Sequence, residues 1–185
     1  MWKSVIASLA LFSSLAFAGP KVVFETTLGA FTVELDEKKA PITVANFVKY
    51  VKDGSYVGTQ FHRVIPGFMA QGGGFDKDMK PVATYDPIKN EASNGLKNEV
   101  ATIAMARTRN PDSATRQFFI NYSDNGYLNY DDNKQKPSAG YTVFGKVTSG
   151  FKTVTDMSKV TTIKKGNYRD VPETAIIITK VTLMP

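Results

Sequence analysis

Short segments with the two-residue periodicity of β-strands recur along this chain, and they constrain its fold more than any other feature. In residues 31–36, Phe31, Val33 and Leu35 alternate with polar side chains, as expected for a strand that is buried on one face. The preceding segment, 27–30, predicts a hairpin turn. Further strand candidates, rich in β-branched and aromatic residues, are 61–64, 101–107, 116–122, 141–147 and 174–183.

Two segments have helical periodicity instead. In residues 40–54, apolar side chains recur at i, i+3, i+4 and i+7 from Val44, with Pro41 in the first turn and Gly54 just past the end. Residues 151–160 predict a second, shorter helix. Many strands and two helices, joined by turns rich in Gly and Pro, favour an antiparallel sheet or closed barrel over a βαβ architecture.

The first 18 residues predict a secretory signal peptide. Lys3 precedes an apolar run that ends in the small-x-small sequence Ala-Phe-Ala at 16–18. A membrane anchor or a first core helix is the alternative, but about thirteen apolar residues are fewer than the roughly 20 that a spanning helix needs. We therefore expect residues 1–18 to be removed, leaving one domain over residues 19–185 with no membrane attachment. The polar segments 76–95 and 123–140 are expected to be long surface loops of that domain.

Composition argues against several functions. The chain has no cysteine and a single histidine, which excludes disulfides, thiol redox chemistry and zinc sites with thiolate ligands, and no metal or other cofactor is expected. Removing the leader lowers the formal net charge from +6 to +5, and the basic residues are dispersed, so no nucleic-acid binding is expected. A hydrolase built on His62 would lack both a Gly-x-Ser-x-Gly elbow and a second histidine.

Residues 61–75, FHRVIPGFMAQGGGF, place the histidine and an arginine next to apolar side chains and three glycines. The Pro-Gly pair predicts a turn, and strict strand alternation would put His62 and Arg63 on opposite faces. The glycines are not followed by the Gly-Lys-Ser or Gly-Lys-Thr of a phosphate-binding loop. They are better suited to a tight backbone path than to ligand binding.

This segment, followed by IAMAR, QFFI and VFGKV in the same order and spacing, resembles the cyclophilin-type peptidyl-prolyl cis/trans isomerases over residues 21–184. The leader, TIAMART and FFINYSDNGYLN are most similar to the secreted bacterial cyclophilins of the periplasm. The resemblance implies a mainly β fold, namely a closed eight-stranded antiparallel β-barrel capped by two α-helices. It also implies a monomeric periplasmic enzyme that acts on proline-containing unfolded or partly folded polypeptides.

The resemblance further implies an active site. Rotation about a peptide bond costs roughly 18–20 kcal/mol because it breaks amide resonance. In the twisted transition state the proline nitrogen regains a localised lone pair, to which a fixed guanidinium can donate a hydrogen bond. The implied catalytic residues are Arg63, Gln71 and Phe119. The implied substrate-binding residues are His62, Phe68, Met69, Ala106, Arg107, Thr108, Gln117, Tyr127, Leu128 and Tyr141.

These residues would have different roles. An apolar seat for the proline ring is expected from Phe68, Met69, Phe119 and Leu128, hydrogen bonds to the flanking peptide from Gln71 and Gln117, and a groove wall from the backbone of 106–108. Taken singly, the aromatic residues would be core and the arginine a surface residue, so the motif context carries the inference. His62 would be structural or adjacent to substrate, since the proposed step needs no base.

Three positions depart from the common family pattern. Tyr127 and Tyr141 stand where better-known eukaryotic members have tryptophan and histidine, and Arg107 stands where asparagine is common. Because cyclosporin binding depends in part on the tryptophan, weak cyclosporin binding is expected. The competing interpretation is a proline-segment binding module or chaperone, which would use the same pocket with turnover as a secondary property.

Overall fold

The computed structural model describes residues 19–133 and 135–184. The signal peptide predicted at residues 1–18 lies outside the described residues. The two helices are α1 (Pro41–Lys52) and α2 (Phe151–Met157). The strands, in chain order, are β1 (Lys21–Thr26), β2 (Gly29–Leu35), β3 (Thr59–Ile65), β4 (Met69–Asp76), β5 (Thr102–Met105), β6 (Phe118–Asn121), β7 (Tyr130–Asp131), β8 (Ser138–Ala139), β9 (Val143–Ser149), β10 (Thr162–Lys165), β11 (Tyr168–Pro172) and β12 (Ile176–Met184).

Eight of these strands form a closed antiparallel barrel in the order β1-β12-β3-β4-β6-β5-β9-β2. The pairing of β1 with β12 joins strands from opposite ends of the chain and closes the barrel. Each helix buries apolar side chains in the core cluster, Val44 and Phe47 from α1 and Val154 and Met157 from α2. The predicted eight-stranded barrel with two helices is therefore confirmed.

Aromatic side chains fill the barrel interior. Phe24 and Phe31 stack with ring centroids 5.0 Å apart, and Phe118 meets Phe47 and Phe61 edge to face at 5.7 and 5.8 Å. All five rings are at most 1% exposed. Because the interior is densely packed with large rings, a binding site is expected on the outside of the barrel.

A buried arginine fixes the start of β6, where part of the predicted site lies. Arg116 is 2% exposed and donates hydrogen bonds to the backbone carbonyls of Gly73, Ala83 and Ser55 at 2.6, 2.7 and 2.5 Å. These bonds satisfy a buried charge and tie three separate segments together. The neighbouring residue, Gln117, is thereby held at a defined position beside β4.

Most predicted elements are present, with ends that differ by a few residues. The segment 31–36 corresponds to β2, and the later strand candidates correspond to β3, β5, β6, β9 and β12. The second predicted helix ends at Met157 and not at residue 160. The loop predicted at 123–140 contains the short hairpin β7–β8, while β1, β4 and the hairpin β10–β11 were not predicted as strands. Among the described residues, no helix is long and apolar enough to cross a membrane.

Candidate active site

Three of the predicted site residues lie in one row across neighbouring strands. Arg63 of β3 pairs with Gln71 of β4, and Gln71 pairs with Phe119 of β6. Ala104 of β5 continues the row beyond Phe119. Paired residues of antiparallel strands share a face, and neighbouring strands lie about 4.8 Å apart, so Arg63 and Phe119 lie roughly 10 Å apart with Gln71 between them.

A bulge in β3 brings Arg63 into this row. Phe61 pairs with Gly72 and Arg63 pairs with Gln71, so His62 is an extra residue on β3. Phe61 is fully buried in the barrel core, whereas the Arg63 side chain is 42% exposed. Strict alternation would have placed these two side chains on the same face, and the bulge is what turns Arg63 outward.

His62 is buried beside this arginine. Its ring is 4% exposed and lies 4.6 Å from the ring of Phe75, and its Nδ1 has no hydrogen-bond partner among the described residues. Burial lowers the pKa of His62 to about 4, and the nearby charge of Arg63 also lowers it. The imidazole is therefore neutral at neutral pH and is enclosed by protein.

An apolar cluster lies beside the row and is separate from the barrel core. Its buried members are Met69, Ala104, Phe119 and Val143, and the partly buried side chains packed against them are Ile65, Phe68, Leu96, Ala106, Leu128 and Tyr141. All four residues predicted to seat the proline ring belong to this cluster. The result is an apolar surface on the outside of the barrel, next to an exposed guanidinium.

The two predicted glutamines hydrogen-bond to each other. Gln71 Nε2 donates to Gln117 Oε1 at 2.9 Å, and both side chains are partly exposed. The side chain of Gln117 lies over Gly74, where an added Cβ would clash with it. This explains one of the three glycines at 72–74, because the missing side chain leaves room for the glutamine.

The Arg107 side chain makes two hydrogen bonds and packs on a ring of the apolar cluster. Its Nε donates to the carbonyl of Gly140 at 2.9 Å and its Nη1 to the carbonyl of Thr108 at 2.9 Å. Its Cζ lies 4.4 Å from the centre of the Tyr141 ring, which in turn meets Phe119 edge to face at 5.7 Å. Arg107 thus packs Tyr141 against Phe119, a role that its common asparagine counterpart could not fill.

Tyr127 stands at the open rim of the cluster. Its side chain is 69% exposed, and its ring lies 5.9 Å from that of Phe68. Partial burial raises the pKa of Tyr127, and the charge of Arg63 opposes this shift. Tyr127 therefore lies on the solvent side of the apolar surface, beside Phe68.

Sequence reasoning missed several residues that belong to this arrangement. Asp170 of β11 forms an ion pair with Arg63, with Nε and Oδ2 separated by 3.8 Å. Val143 and Ala104 are buried in the apolar cluster, and both lie within the predicted strands 141–147 and 101–107. Their faces could have been assigned from strand alternation once the barrel was assumed. Asp170 gave no such signal, since no local pattern connects it to β3.

Comparisons with known proteins identify the family of this chain. Residues 21–183 match the family described as "Cyclophilin type peptidyl-prolyl cis-trans isomerase/CLD". The chain is 51% identical over 173 residues to a peptidyl-prolyl cis-trans isomerase of Acinetobacter baylyi, covering 94% of this chain and 90% of that one. It is 49% identical over 162 residues to peptidyl-prolyl cis-trans isomerase B of Escherichia coli, covering 88% and 98%. A crystal structure of a cyclophilin type isomerase from Cryptosporidium parvum matches with a TM-score of 0.73 at 26% identity, covering 90% and 98%.

A closed barrel with an apolar surface and an arginine on its outer wall, together with a family match over nearly the whole chain, defines the class. The chain belongs to the family of cyclophilin-type peptidyl-prolyl cis-trans isomerases. It is a peptidyl-prolyl cis-trans isomerase that acts on proline-containing peptides. The family predicted from the four motifs is confirmed.

Proposed function

We propose that this isomerase accelerates X-Pro bond rotation without a covalent intermediate, by stabilising the twisted amide with Arg63 over the apolar cluster. The observation that supports this most directly is the row in which Arg63, Gln71 and Phe119 lie side by side on the outer wall. A proline ring seated near Phe119 would place its nitrogen within reach of a guanidinium about two strands away. Gln71 lies between them, where the substrate backbone would pass.

The chemistry requires a donor that distinguishes the twisted amide from the planar one. In the planar amide the nitrogen lone pair is delocalised and accepts no hydrogen bond, whereas in the twisted form it is localised. Because only the twisted nitrogen accepts a hydrogen bond, Arg63 would donate to the transition state and not to the ground state. A guanidinium stays protonated at ordinary pH, so the donor is always present. A hydrogen bond to a charged group contributes about 1.5–3 kcal/mol. At 1.36 kcal/mol per factor of ten, this is roughly a tenfold to a hundredfold acceleration.

The apolar cluster and the glutamine pair would supply the binding part of the mechanism. Met69 and Phe119 are 1% and 4% exposed, so the floor on which a proline ring would rest is dry and rigid. When a bound proline ring excludes water from this floor, the local dielectric constant falls, and a hydrogen bond made beside it becomes stronger. The hydrogen bond between Gln71 and Gln117 fixes both amides, which would then meet the substrate backbone at little cost in side-chain entropy.

Replacing Arg63 tests the mechanism. With purified residues 19–185 and a protease-coupled assay on a short X-Pro peptide, Arg63→Ala should lower kcat/KM by at least tenfold while the circular dichroism spectrum is unchanged. Arg63→Lys should restore little, because an ammonium lacks the planar fork. Arg109→Ala is the control, since Arg109 is an exposed arginine outside the row. Arg63→Ala with wild-type turnover would overturn the proposed mechanism.

The same variant separates catalysis from simple binding of proline segments. The proposed seat for the proline ring is formed by Phe68, Met69, Phe119 and Leu128 and not by Arg63, so Arg63→Ala should leave most of the affinity for an X-Pro peptide in place. If folding of a client protein is assisted equally by wild type and Arg63→Ala, the binding-module interpretation applies to that client. If assistance is lost together with turnover, isomerisation is the relevant activity.

We also propose that residues 1–18 direct the enzyme to the periplasm, where it acts on secreted proteins as they fold. The support is the apolar segment and the Ala-Phe-Ala sequence at 16–18. Expression of the full chain in a bacterium should yield periplasmic protein that begins at Gly19, as read by mass spectrometry. Ala18→Leu should retain the leader, because a bulky residue does not fit a cleavage site that selects small side chains. A full-length wild-type protein in the cytoplasmic fraction would contradict the proposal.

A further inference from the structure

An acidic residue approaches Arg63 from outside the barrel. The hairpin β10–β11 lies against β3, and Oδ2 of Asp170 is 3.8 Å from Nε of Arg63. Both side chains are 42% exposed. In the part of the chain that the structure describes, Asp170 is the one acidic partner of Arg63. Asp170, which has no role in the proposed mechanism, therefore forms an ion pair with Arg63, on which that mechanism depends.

The backbone of Asp170 is in a conformation that few residues adopt. Its φ is +58°, in the left-handed region, where side chains other than Gly are uncommon and where Asp and Asn are the best tolerated. Residues held in this region are kept there by their surroundings and cluster at functional sites. The conformation changes the direction of the side chain relative to an extended strand, and here the carboxylate meets β3.

The hairpin is anchored directly beside this residue. Val171 is 1% exposed and packs with Phe75 and Met79 in a small apolar cluster outside the barrel core. Tyr168 meets the ring of Phe75 edge to face at 5.1 Å. Since Val171 follows Asp170 in the chain, its burial fixes the backbone that carries the carboxylate.

We propose that Asp170 is a positioning residue for Arg63. The guanidinium has one N–H on Nε and four on its two Nη atoms. At 3.8 Å the carboxylate attracts the guanidinium from its Nε side without a hydrogen bond, which would favour one orientation of the side chain and leave the four Nη donors available for the substrate. A side chain that is 42% exposed has considerable rotamer freedom, and restricting it lowers the entropy lost when it engages the twisted amide. This inference rests on the proposed role of Arg63 and assigns how that residue is held.

Asp170→Asn is the variant that isolates the charge. Asparagine keeps the shape and also tolerates the left-handed backbone, so the hairpin should stay in place. Exposed ion pairs contribute little, so we expect kcat to fall about two- to fivefold with KM unchanged. The difference from wild type should shrink as salt is raised to about 1 M, where the Debye length is about 3 Å. Glu173→Gln removes a charge from an exposed site after the same hairpin and should leave kcat at the wild-type value.

A double-mutant cycle distinguishes this proposal from the mechanism on which it rests. In an Arg63→Ala background, Asp170→Asn should not change the residual rate, because the group it positions is absent. If Arg63→Ala alone keeps wild-type turnover, the mechanism fails. If Arg63→Ala is impaired but Asp170→Asn has a wild-type or raised kcat, Asp170 does not position Arg63. An equal loss in both backgrounds would show that Asp170 acts through the hairpin instead, and would also overturn the proposal.

Discussion

The burial of His62 makes the stability of this protein depend on pH. The pKa of His62 is lowered to about 4 in the folded chain, while an unfolded histidine has a pKa of about 6.5. Between these values only the unfolded chain binds the proton. Protonation of His62 therefore leaves the free energy of unfolding unchanged above about pH 6.5 and lowers it as the pH falls below that value. We expect His62 to make the free energy of unfolding about 2 kcal/mol smaller at pH 5 than at pH 7.

Urea unfolding at both pH values, for wild type and His62→Gln, measures this effect. Glutamine does not titrate, so most of the difference between pH 7 and pH 5 should disappear in the variant. Turnover of an X-Pro peptide by wild type should meanwhile be nearly constant from about pH 6 to 8.5, because the imidazole stays neutral there. An identical pH dependence of stability in the two proteins would show that other groups are responsible.

Tyr127 predicts how the enzyme responds to cyclosporin. Its ring is 69% exposed beside Phe68, so a larger indole can replace it without repacking the cluster. Tyr127→Trp adds apolar area and an N–H donor, which together should tighten inhibition roughly tenfold. Inhibition constants are measured by titrating each protein with the drug and normalising to its own uninhibited rate. Tyr130→Trp is the control, since Tyr130 is 40% exposed and lies outside the apolar cluster.

Individual site residues were predictable only through the motif. Phe119 and Met69 are buried like core residues, so their burial alone would not distinguish a site from the barrel interior. Arg63 faces outward because of a bulge in the pairing of β3 with β4, and a strand pattern read from sequence contains no information on that shift. The ion pair of Arg63 with Asp170 depends on a contact between segments that are distant in sequence, so it could not be predicted from local pattern either.

Among the elements, periodicity identified β2 and α1, whereas β1 was missed although every second residue of it is buried. In β2 every second residue is buried, and α1 buries one stripe, so periodicity revealed both. In the hairpin β10–β11, the residues from 163 to 169 are all exposed, and only its last residues are buried. Its position is set by contacts with Phe75 and Met79, which come from a different part of the chain. Tertiary packing thus determines a strand pair that local pattern does not reveal.

This anchoring predicts that the hairpin opens as a unit. Val171→Ala removes two methyl groups from a site that is 1% exposed, at a cost of about 1.6 kcal/mol. The amide protons of β10 and β11 should then exchange roughly tenfold faster, whereas those of β5 and β6 should be unaffected. Hydrogen exchange followed by mass spectrometry resolves the two regions. Ile163→Ala, at a 38% exposed position of the same hairpin, should change neither rate, and faster exchange throughout the barrel would contradict a local opening.

At the scale of the whole molecule, the filled interior explains why function lies on the outer wall. Core rings such as Phe24, Phe47 and Phe118 leave no space for a substrate, so the barrel acts as a rigid support. The row formed by Arg63, Gln71 and Phe119 is fixed by the register of three strands and not by loops. Such a site requires the barrel to be closed, and closure depends on β12, which pairs with both β1 and β3.

Two adjacent isoleucines in β12 test what holds the barrel closed. Ile178 is fully buried in the core, whereas Ile177 is only partly buried on the other face of the strand. Ile178→Ala should lower the free energy of unfolding by about 2–5 kcal/mol, the usual cost of such a cavity. Ile177→Ala, with the same change in strand propensity, should cost less than half as much. Urea unfolding of both variants measures the difference. Equal costs would indicate that strand pairing, and not packing of the interior, closes the barrel.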